Sequence, residues 1–177
     1  MERTTAHLGD QTRDQGSLLE DLYADHALRA FRLAYLLTGS REAAEDVVQE
    51  AFLQVGDRLD SLRDLRAFPG YLRTVVLNLV RGRSRRMRRE RLLTERAAIL
   101  EPRTRREEVD IGQRERLWAA LHLLPHRQRA ALVLRYYEDL SERDAAMVMG
   151  TTVSAVKALV SRGTRALRAM LGDMREA

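Results

Sequence analysis

The 177-residue sequence contains no cysteine, which excludes disulfides and thiolate metal sites and favours a reducing compartment. It has no apolar run near the roughly 18 residues that a membrane span requires, and residues 1–17 lack the apolar segment of a signal peptide. These absences predict a cytoplasmic protein. Only three prolines occur, and no alternating strand pattern is bounded by turn residues. We therefore predict an all-α fold.

Lysine is nearly absent as well. Of the 31 basic residues only Lys157 is a lysine, and the net charge is +5 with an isoelectric point near 10.2. Arginine offers planar, bidentate contacts to phosphates and bases that lysine does not. The excess of arginine favours a nucleic acid partner.

Amphipathic windows divide the chain into two small helical domains joined by a charged flexible linker, and the C-terminal domain contains a helix-turn-helix. The first helix of the chain is expected to run from about Leu18 to Leu37, with Gly39 as its C-terminal cap and Ser40 as the N-cap of the next helix. The predicted parts are a flexible N-terminal extension at 1–17, a first domain at 18–90, a linker at 91–112, a second domain at 113–171 and a tail at 172–177.

The second predicted helix carries two stripes. One is apolar and faces a core; the other brings like charges within one turn, at a cost of about 0.2–0.5 kcal/mol per pair in an isolated helix. A solvated face would explain an acidic stripe on most proteins, but this chain is basic. The residue pattern alone leaves open the purpose of this second stripe, which is formed by Glu42, Glu45, Asp46, Gln49 and Glu50.

Residues 81–91, "RGRSRRMRRER", follow an apolar helix and contain seven arginines and one glutamate. Cations at this density repel one another unless an anion lies among them, and a nucleic acid backbone supplies that anion. Aromatic and amide side chains just before the run suit stacking on unpaired bases and reading of base edges. The candidate DNA contacts in this segment are Phe68, Tyr71, Asn78, Arg81, Arg83, Arg85 and Arg86.

Residues 141–171 have the spacing of a helix-turn-helix: a capping box from Ser141 to Asp144, a small residue at Ala146, the turn at Gly150, and aliphatic residues in the second helix. A plain helical hairpin is the alternative, but polarity on one side favours entry into a major groove. The outward face is predicted to contain Thr152, Ser154, Lys157, Ser161, Arg162 and Arg165.

No active site is evident. The four histidines lack metal-ligand spacing, and neither a phosphate-binding loop nor a nucleophile motif occurs. We expect no enzymatic activity, no metal and no cofactor. Trp118, Tyr136 and Tyr137 lie on apolar stripes and are predicted to be core residues.

The two modules together resemble a bacterial RNA polymerase sigma factor of the small extracytoplasmic-function group. "AEDVVQEAF" resembles the family's D-x-x-Q-E-x-F signature, and "YLRTVVLNLVRGRSRR" resembles the helix that meets the −10 promoter element. The segment from "LPHRQRAALVLRYYEDL" through "SRGTRAL" resembles the domain that reads the −35 element. The resemblance covers about residues 18–86 and 113–171, with three motifs in the family's order.

The resemblance implies binding of core RNA polymerase, through the clamp coiled coil of its largest subunit and the flap of its second largest, and binding of promoter DNA. Asp46, Gln49 and Glu50 would then be clamp contacts. Asn78 matches a frequent asparagine of the −10 helix, whereas Tyr71 stands where many members have tryptophan. An anti-sigma factor is a further possible partner.

Two alternatives remain. A helix-turn-helix repressor would explain residues 141–171 but not the acidic stripe. A sigma-like decoy that sequesters an anti-sigma factor would share the fold and the acidic helix, but it would need neither seven arginines nor a polar recognition face.

Overall fold

The structure, a computed structural model, describes residues 5–59, 64–94 and 112–173. In these ranges every regular element is helical, as predicted. The α-helices are α1 (Thr5–Thr38), α2 (Arg41–Gly56), α3 (Phe68–Thr94), α4 (Gln113–Leu123), α5 (His126–Leu132), α6 (Glu142–Met149) and α7 (Val153–Asp173). A 3-10 turn at Leu65–Ala67 precedes α3, and a π-helix at Val133–Tyr137 follows α5.

Helix α1 begins at Thr5 rather than near Leu18, so the predicted start of the first helix is wrong. Its first part lacks an apolar stripe, but extending an existing helix costs much less than nucleating one. The predicted end is confirmed. Gly39 has φ 77° and donates its N–H to the Tyr35 carbonyl at 2.9 Å, and the Ser40 hydroxyl accepts from the N–H of Ala43 at 3.3 Å.

By internal contacts the chain forms two compact units, 1–76 and 77–177, and the division falls within α3, before the predicted linker. Helix α3 itself continues four residues into that predicted linker, to Thr94. Most of the linker, 95–111, and the end of the predicted tail, 174–177, lie outside the described residues. No helix in the described ranges is both long and apolar enough to span a membrane.

In the first unit α1 packs along α2, and three rings fix the start of α3 against this pair. The rings of Phe52 and Phe68 lie 6.3 Å apart, Tyr23 meets Phe52 edge-on at 4.7 Å, and His26 lies 5.3 Å from Phe68. Burial of each phenylalanine contributes about 1.5–3 kcal/mol. The first unit therefore holds the N-terminal end of α3 by aromatic packing.

In the second unit α7 is the central element and contacts α4, α5 and α6. Its inward residues include Val156 and Leu159, which are buried as the helix-turn-helix spacing predicts. The closest approach is at Gly163, where an added Cβ would lie 2.9 Å from Cδ1 of buried Leu132. Glycine at this crossing lets α5 and α7 pack backbone to side chain.

The prediction that Trp118, Tyr136 and Tyr137 form the core of this unit is wrong for both tyrosines: Tyr136 is 69% exposed and Tyr137 is 43% exposed. Trp118 is half-buried against the ring of His122, 4.4 Å away. The reason is the π-helix, in which the N–H of Glu138 bonds the Val133 carbonyl five residues back. This wider turn changes the direction in which the following side chains point, so a 3.6-residue period places them wrongly.

Candidate functional site

The acidic stripe of α2 lies opposite the helix's buried side. Alanine, valine and phenylalanine fill the buried side, from Ala44 to Val55. On the other side Glu42, Glu45, Asp46 and Gln49 are exposed, while Glu50 is half-buried. The Ser40 cap starts the helix at this point, and Glu42 in the first turn is favourable to the helix dipole. The structure therefore brings all five predicted residues onto one accessible surface.

Within the stripe, Glu45 and Glu50 differ in their hydrogen-bond partners. The guanidinium Nε of Arg41 donates to Oε1 of Glu45 at 2.8 Å, and this hydrogen bond raises the pKa of Arg41. Glu50 Oε1 accepts from the Gln54 amide at 3.4 Å. Because Arg41 already offsets the charge of Glu45, Glu45 has less charge left for a partner than the sequence suggests.

The predicted contacts of α3 divide into two groups. Phe68 has no exposed surface and packs against His26 and Phe52, so the prediction that it contacts DNA is corrected: it is a core residue. Tyr71 is half-exposed and Asn78 is exposed. Asn78 and Arg85 follow Tyr71 at steps of seven residues, which places the three side chains along one side of the helix.

The arginines of α3 differ in exposure. Arg85 and Arg86 are exposed, while Arg81 and Arg83 are half-buried. Arg89, which we did not predict, is exposed and lies four residues beyond Arg85, on the side that carries Tyr71. The result is a cationic strip that begins with one aromatic ring and one amide.

Upstream of α3, Asp64 caps the 3-10 turn. Its carboxylate accepts from the backbone N–H of Arg66 at 2.9 Å and from that residue's guanidinium at 3.1 Å. These two hydrogen bonds, the side-chain one first, lower the pKa of Asp64. The turn thereby sets the direction in which the chain enters α3 through Pro69.

The helix-turn-helix has the predicted caps. The Ser141 hydroxyl accepts from the N–H of Asp144 at 3.1 Å to begin α6. Gly150 ends it with φ 58°, and the N–H of Thr151 bonds the Ala146 carbonyl at 3.0 Å. A left-handed residue at this position suits glycine because no Cβ crowds the backbone. The turn therefore directs α7 away from α6 with its polar side outward.

All six predicted residues of the recognition face are exposed: Thr152, Ser154, Lys157, Ser161, Arg162 and Arg165. Two have local roles that the sequence pattern did not show. The Thr152 hydroxyl accepts from the N–H of Ala155 at 3.2 Å and so caps α7, and Arg162 Nε donates to the Ala158 carbonyl at 3.1 Å. The Thr152 hydroxyl also lies 3.1 Å from the Ser154 hydroxyl, so these two predicted contacts are hydrogen-bonded to each other at the start of α7.

Sequence reasoning missed Glu142, whose Oε2 lies 3.4 Å from Nζ of Lys157. The two residues belong to different helices, so no three- or four-residue spacing could reveal the pair. Arg127 of α5 was also missed; its guanidinium donates to the Thr151 hydroxyl in the turn at 3.3 Å. Both contacts steady the turn and the start of α7.

The second unit also contains a half-buried basic pair on α4 and α5. Arg129 donates through Nη1 to Nδ1 of His122 at 2.6 Å, which requires Nδ1 to be unprotonated. Burial, and then the charge of Arg129, lower the pKa of His122 to about 4. Burial also lowers the pKa of Arg129. In the described part of the chain no group of three or more acidic, histidine or cysteine residues could hold a metal ion.

Comparison with known proteins identifies two regions. The family model described as Sigma-70 region 2 matches residues 22–90, and the one described as Sigma-70, region 4 matches residues 114–167. The first includes the acidic stripe and all but the last residue of the arginine run. The second includes the helix-turn-helix.

Two relatives match over most of the chain. The ECF RNA polymerase sigma factor EcfG of Rhodopseudomonas palustris is 33% identical over 88% of this chain and 85% of its own. The ECF RNA polymerase sigma factor SigE of Mycolicibacterium smegmatis is 32% identical over 94% of this chain and 67% of its own. The solved complex of the sigma factor RpoE with the anti-sigma factor NepR from Bartonella quintana has a similar fold, with TM-score 0.69 at 22% identity over 86% of this chain and 96% of that one.

Proposed function

Because this chain belongs to the extracytoplasmic-function group of the sigma-70 family of RNA polymerase sigma factors, we propose that α2 binds core polymerase while α3 and α7 contact promoter DNA. Promoter-specific initiation of transcription with RNA polymerase is accordingly the function of the chain. This assignment rests on one observation: acidic and basic side chains are exposed on different helices. The acids are exposed on α2, whereas cations line α3 and α7.

The core-binding surface is the acidic stripe of α2, centred on Asp46, Gln49 and Glu50. Its partner on the polymerase would be the clamp coiled coil of the largest subunit, and the second unit would bind the flap of the second largest. An acidic surface on a chain of net charge +5 attracts a basic partner and repels DNA, so it keeps the two kinds of partner on different faces.

The −10 element would be bound by the side of α3 that carries Tyr71, Asn78 and Arg85. In this proposal the ring stacks on an unpaired base, the amide reads a base edge, and the guanidinium contacts the backbone. Arg81, Arg83, Arg86 and Arg89 would add phosphate contacts. Phe68 supports the site from the core and does not touch DNA.

The −35 element would be read in the major groove by α7. Thr152 and Ser154 lie at the N-terminal end of the helix, which is the part that reaches base edges in helix-turn-helix proteins. Lys157, Ser161, Arg162 and Arg165 follow along the same face. Each good bidentate base contact contributes about 1–3 kcal/mol of discrimination against the wrong base.

We further propose that the chain performs no catalysis of its own, since it would supply binding surfaces to the polymerase that carries the active site. A partner of RNA polymerase works in the cytoplasm, where we place this protein. An anti-sigma factor that covers the acidic stripe or the recognition face would silence it.

The experiment is run-off transcription from a fragmented library of the source genome, with purified core polymerase in the presence and absence of the protein. We expect new 5′ ends that share two upstream elements. Core binding without new starts would favour the decoy, and DNA binding without core binding would favour the repressor; either result would overturn the proposal.

A further inference from the structure

One large apolar side chain interrupts the outward side of α2. Leu53 is 71% exposed, the highest value among the large hydrophobic side chains of the described residues. It follows Asp46, Gln49 and Glu50 by seven, four and three residues, which places it on the line of the stripe, about one turn beyond Glu50, and opposite the buried side of the helix. Asp57 is exposed four residues further on and continues the same line.

The fold does not require a leucine here. The buried side of α2 is complete without it, and alanine has the higher helix propensity at an exposed position. A single exposed leucine is ordinary on a protein surface. What distinguishes Leu53 is its position between polar and acidic residues of the same side: Gln49 and Glu50 lie one turn before it and Asp57 lies one turn after it.

We propose that Leu53 is the apolar contact of the polymerase-binding surface, and that Asp57 extends the acidic rim of this surface beyond Glu50. This inference rests on the proposed function of α2. The occupant it fits is a basic helical surface of core polymerase with an apolar pocket among its cations. Charge complementarity supports this choice, because Asp46, Glu50 and Asp57 lie along one side of the helix and attract cations, although the chain has a net charge of +5. The leucine side chain is stabilised only by an apolar contact that excludes water.

The two kinds of residue have different tasks in such an interface. Carboxylates at the rim speed the encounter and remain sensitive to salt. A central apolar side chain that loses all its water slows dissociation, and truncation of such a residue typically has the largest effect on affinity. Loss of Leu53 should therefore change the dissociation rate and leave the salt dependence unchanged.

The test measures association and dissociation rates of the full-length protein with purified core polymerase at several salt concentrations. The variants are Leu53→Ala, the control Leu28→Ala and the reference Asp46→Arg. Leu28 is 60% exposed on α1, so its truncation removes a similar exposed side chain away from the stripe. We expect Leu53→Ala to raise Kd at least tenfold through faster dissociation, with an unchanged salt slope, and Leu28→Ala to stay within twofold of the parent protein.

Thermal melting completes the design, because Leu53→Ala should leave Tm unchanged or slightly higher. If Asp46→Arg weakens core binding and Leu53→Ala does not, the inference is overturned while the proposed function stands. If neither variant weakens binding, the proposed surface itself fails. A lower Tm for Leu53→Ala would mean that Leu53 stabilises the fold, which contradicts the inference. Loss of self-association instead of core binding would mean that the surface binds a second copy of the chain, which also contradicts it.

Discussion

Helices α2 and α7 are both amphipathic, and their outward sides differ in kind. On α2 that side is acidic and surrounds one exposed leucine; on α7 it mixes hydroxyls, a lysine and arginines, and several of these side chains bond within their own helix or to α6. A surface of one charge attracts a partner without selecting its sequence, whereas a mixed set of donors can distinguish one base from another. Under the proposed function, one small chain binds a protein and a DNA sequence through the same kind of secondary structure.

Reversal of one charge on α2 should have the largest effect. Asp46→Arg places a cation opposite the basic partner, so we expect core binding to weaken at least 100-fold, which corresponds to about 2.7 kcal/mol. Binding to DNA should be unchanged or stronger. Holoenzyme formation by native gel or size-exclusion chromatography checks this; normal assembly of the variant would show that the stripe is not the interface.

The inward side of α7 is tested by Gly163→Val. The new side chain would collide with Leu132, so we expect a loss of about 2–3 kcal/mol in the free energy of unfolding, measured by urea denaturation. Gly172→Ala is the matched control. No atom lies within 4 Å of a Cβ there, so the helix should gain up to about 1 kcal/mol. Equal effects at the two glycines would contradict the close packing of α5 against α7.

Acid should weaken the unit that contains α7 through His122. Its pKa is about 4 in the folded protein and near the ordinary 6.5 in the unfolded chain. The stability that neutral His122 contributes is therefore fully present above pH 6.5 and is lost as the pH drops toward 4, because the unfolded state takes up the proton first. The site is only half-buried, so we expect a loss of about 1–2 kcal/mol after solvent screening. Urea denaturation of wild type and His122→Gln at pH 7 and 5 checks this, and the variant should lose less.

The recognition face is tested by Lys157→Ala and Glu142→Gln. Loss of the lysine should weaken promoter binding about tenfold, whereas loss of its acidic partner releases the ammonium and should tighten binding to unrelated DNA about two- to fivefold. Fluorescence anisotropy on matched promoter and scrambled duplexes measures both effects. A parallel change on both duplexes for Lys157→Ala would mean that the lysine contacts only phosphate.

The smallest expected effect is that of Glu45→Gln on α2. It removes an exposed ion pair with Arg41, which contributes about 0–0.5 kcal/mol to stability, and a charge already offset within the chain. We expect core binding to stay within threefold of wild type. An effect as large as that of Asp46→Arg would show that the whole stripe acts as one surface.

The helix-turn-helix could be predicted closely because its determinants are local. Ser141, Gly150 and the buried aliphatic residues of α7 are each set by neighbours within a few positions. The same holds for the cap at Ser40, where glycine and serine mark the end of one helix and the beginning of the next. Local rules thus sufficed at these caps, but not at the start of α1 or the end of α3.

What the sequence could not show depends on contacts between distant residues. Phe68 precedes a proline and an arginine-rich helix and was therefore grouped with DNA contacts, but Phe52 and His26 from two other helices enclose it. The exposure of Tyr136 follows from a π-helix, which no 3.6-residue pattern anticipates. Glu142 meets Lys157 only because the turn at Gly150 brings two helices together.

The solitary lysine has a consequence for chemistry in the test tube. Every other basic side chain is a guanidinium, so an amine-selective reagent finds a single side-chain target, in the middle of the recognition face. A dye or a crosslinker placed there would report directly on what approaches α7, and a protease that cuts after lysine would cleave one peptide bond whose protection can be followed. Lys157 therefore offers one site at which the recognition face can be labelled selectively.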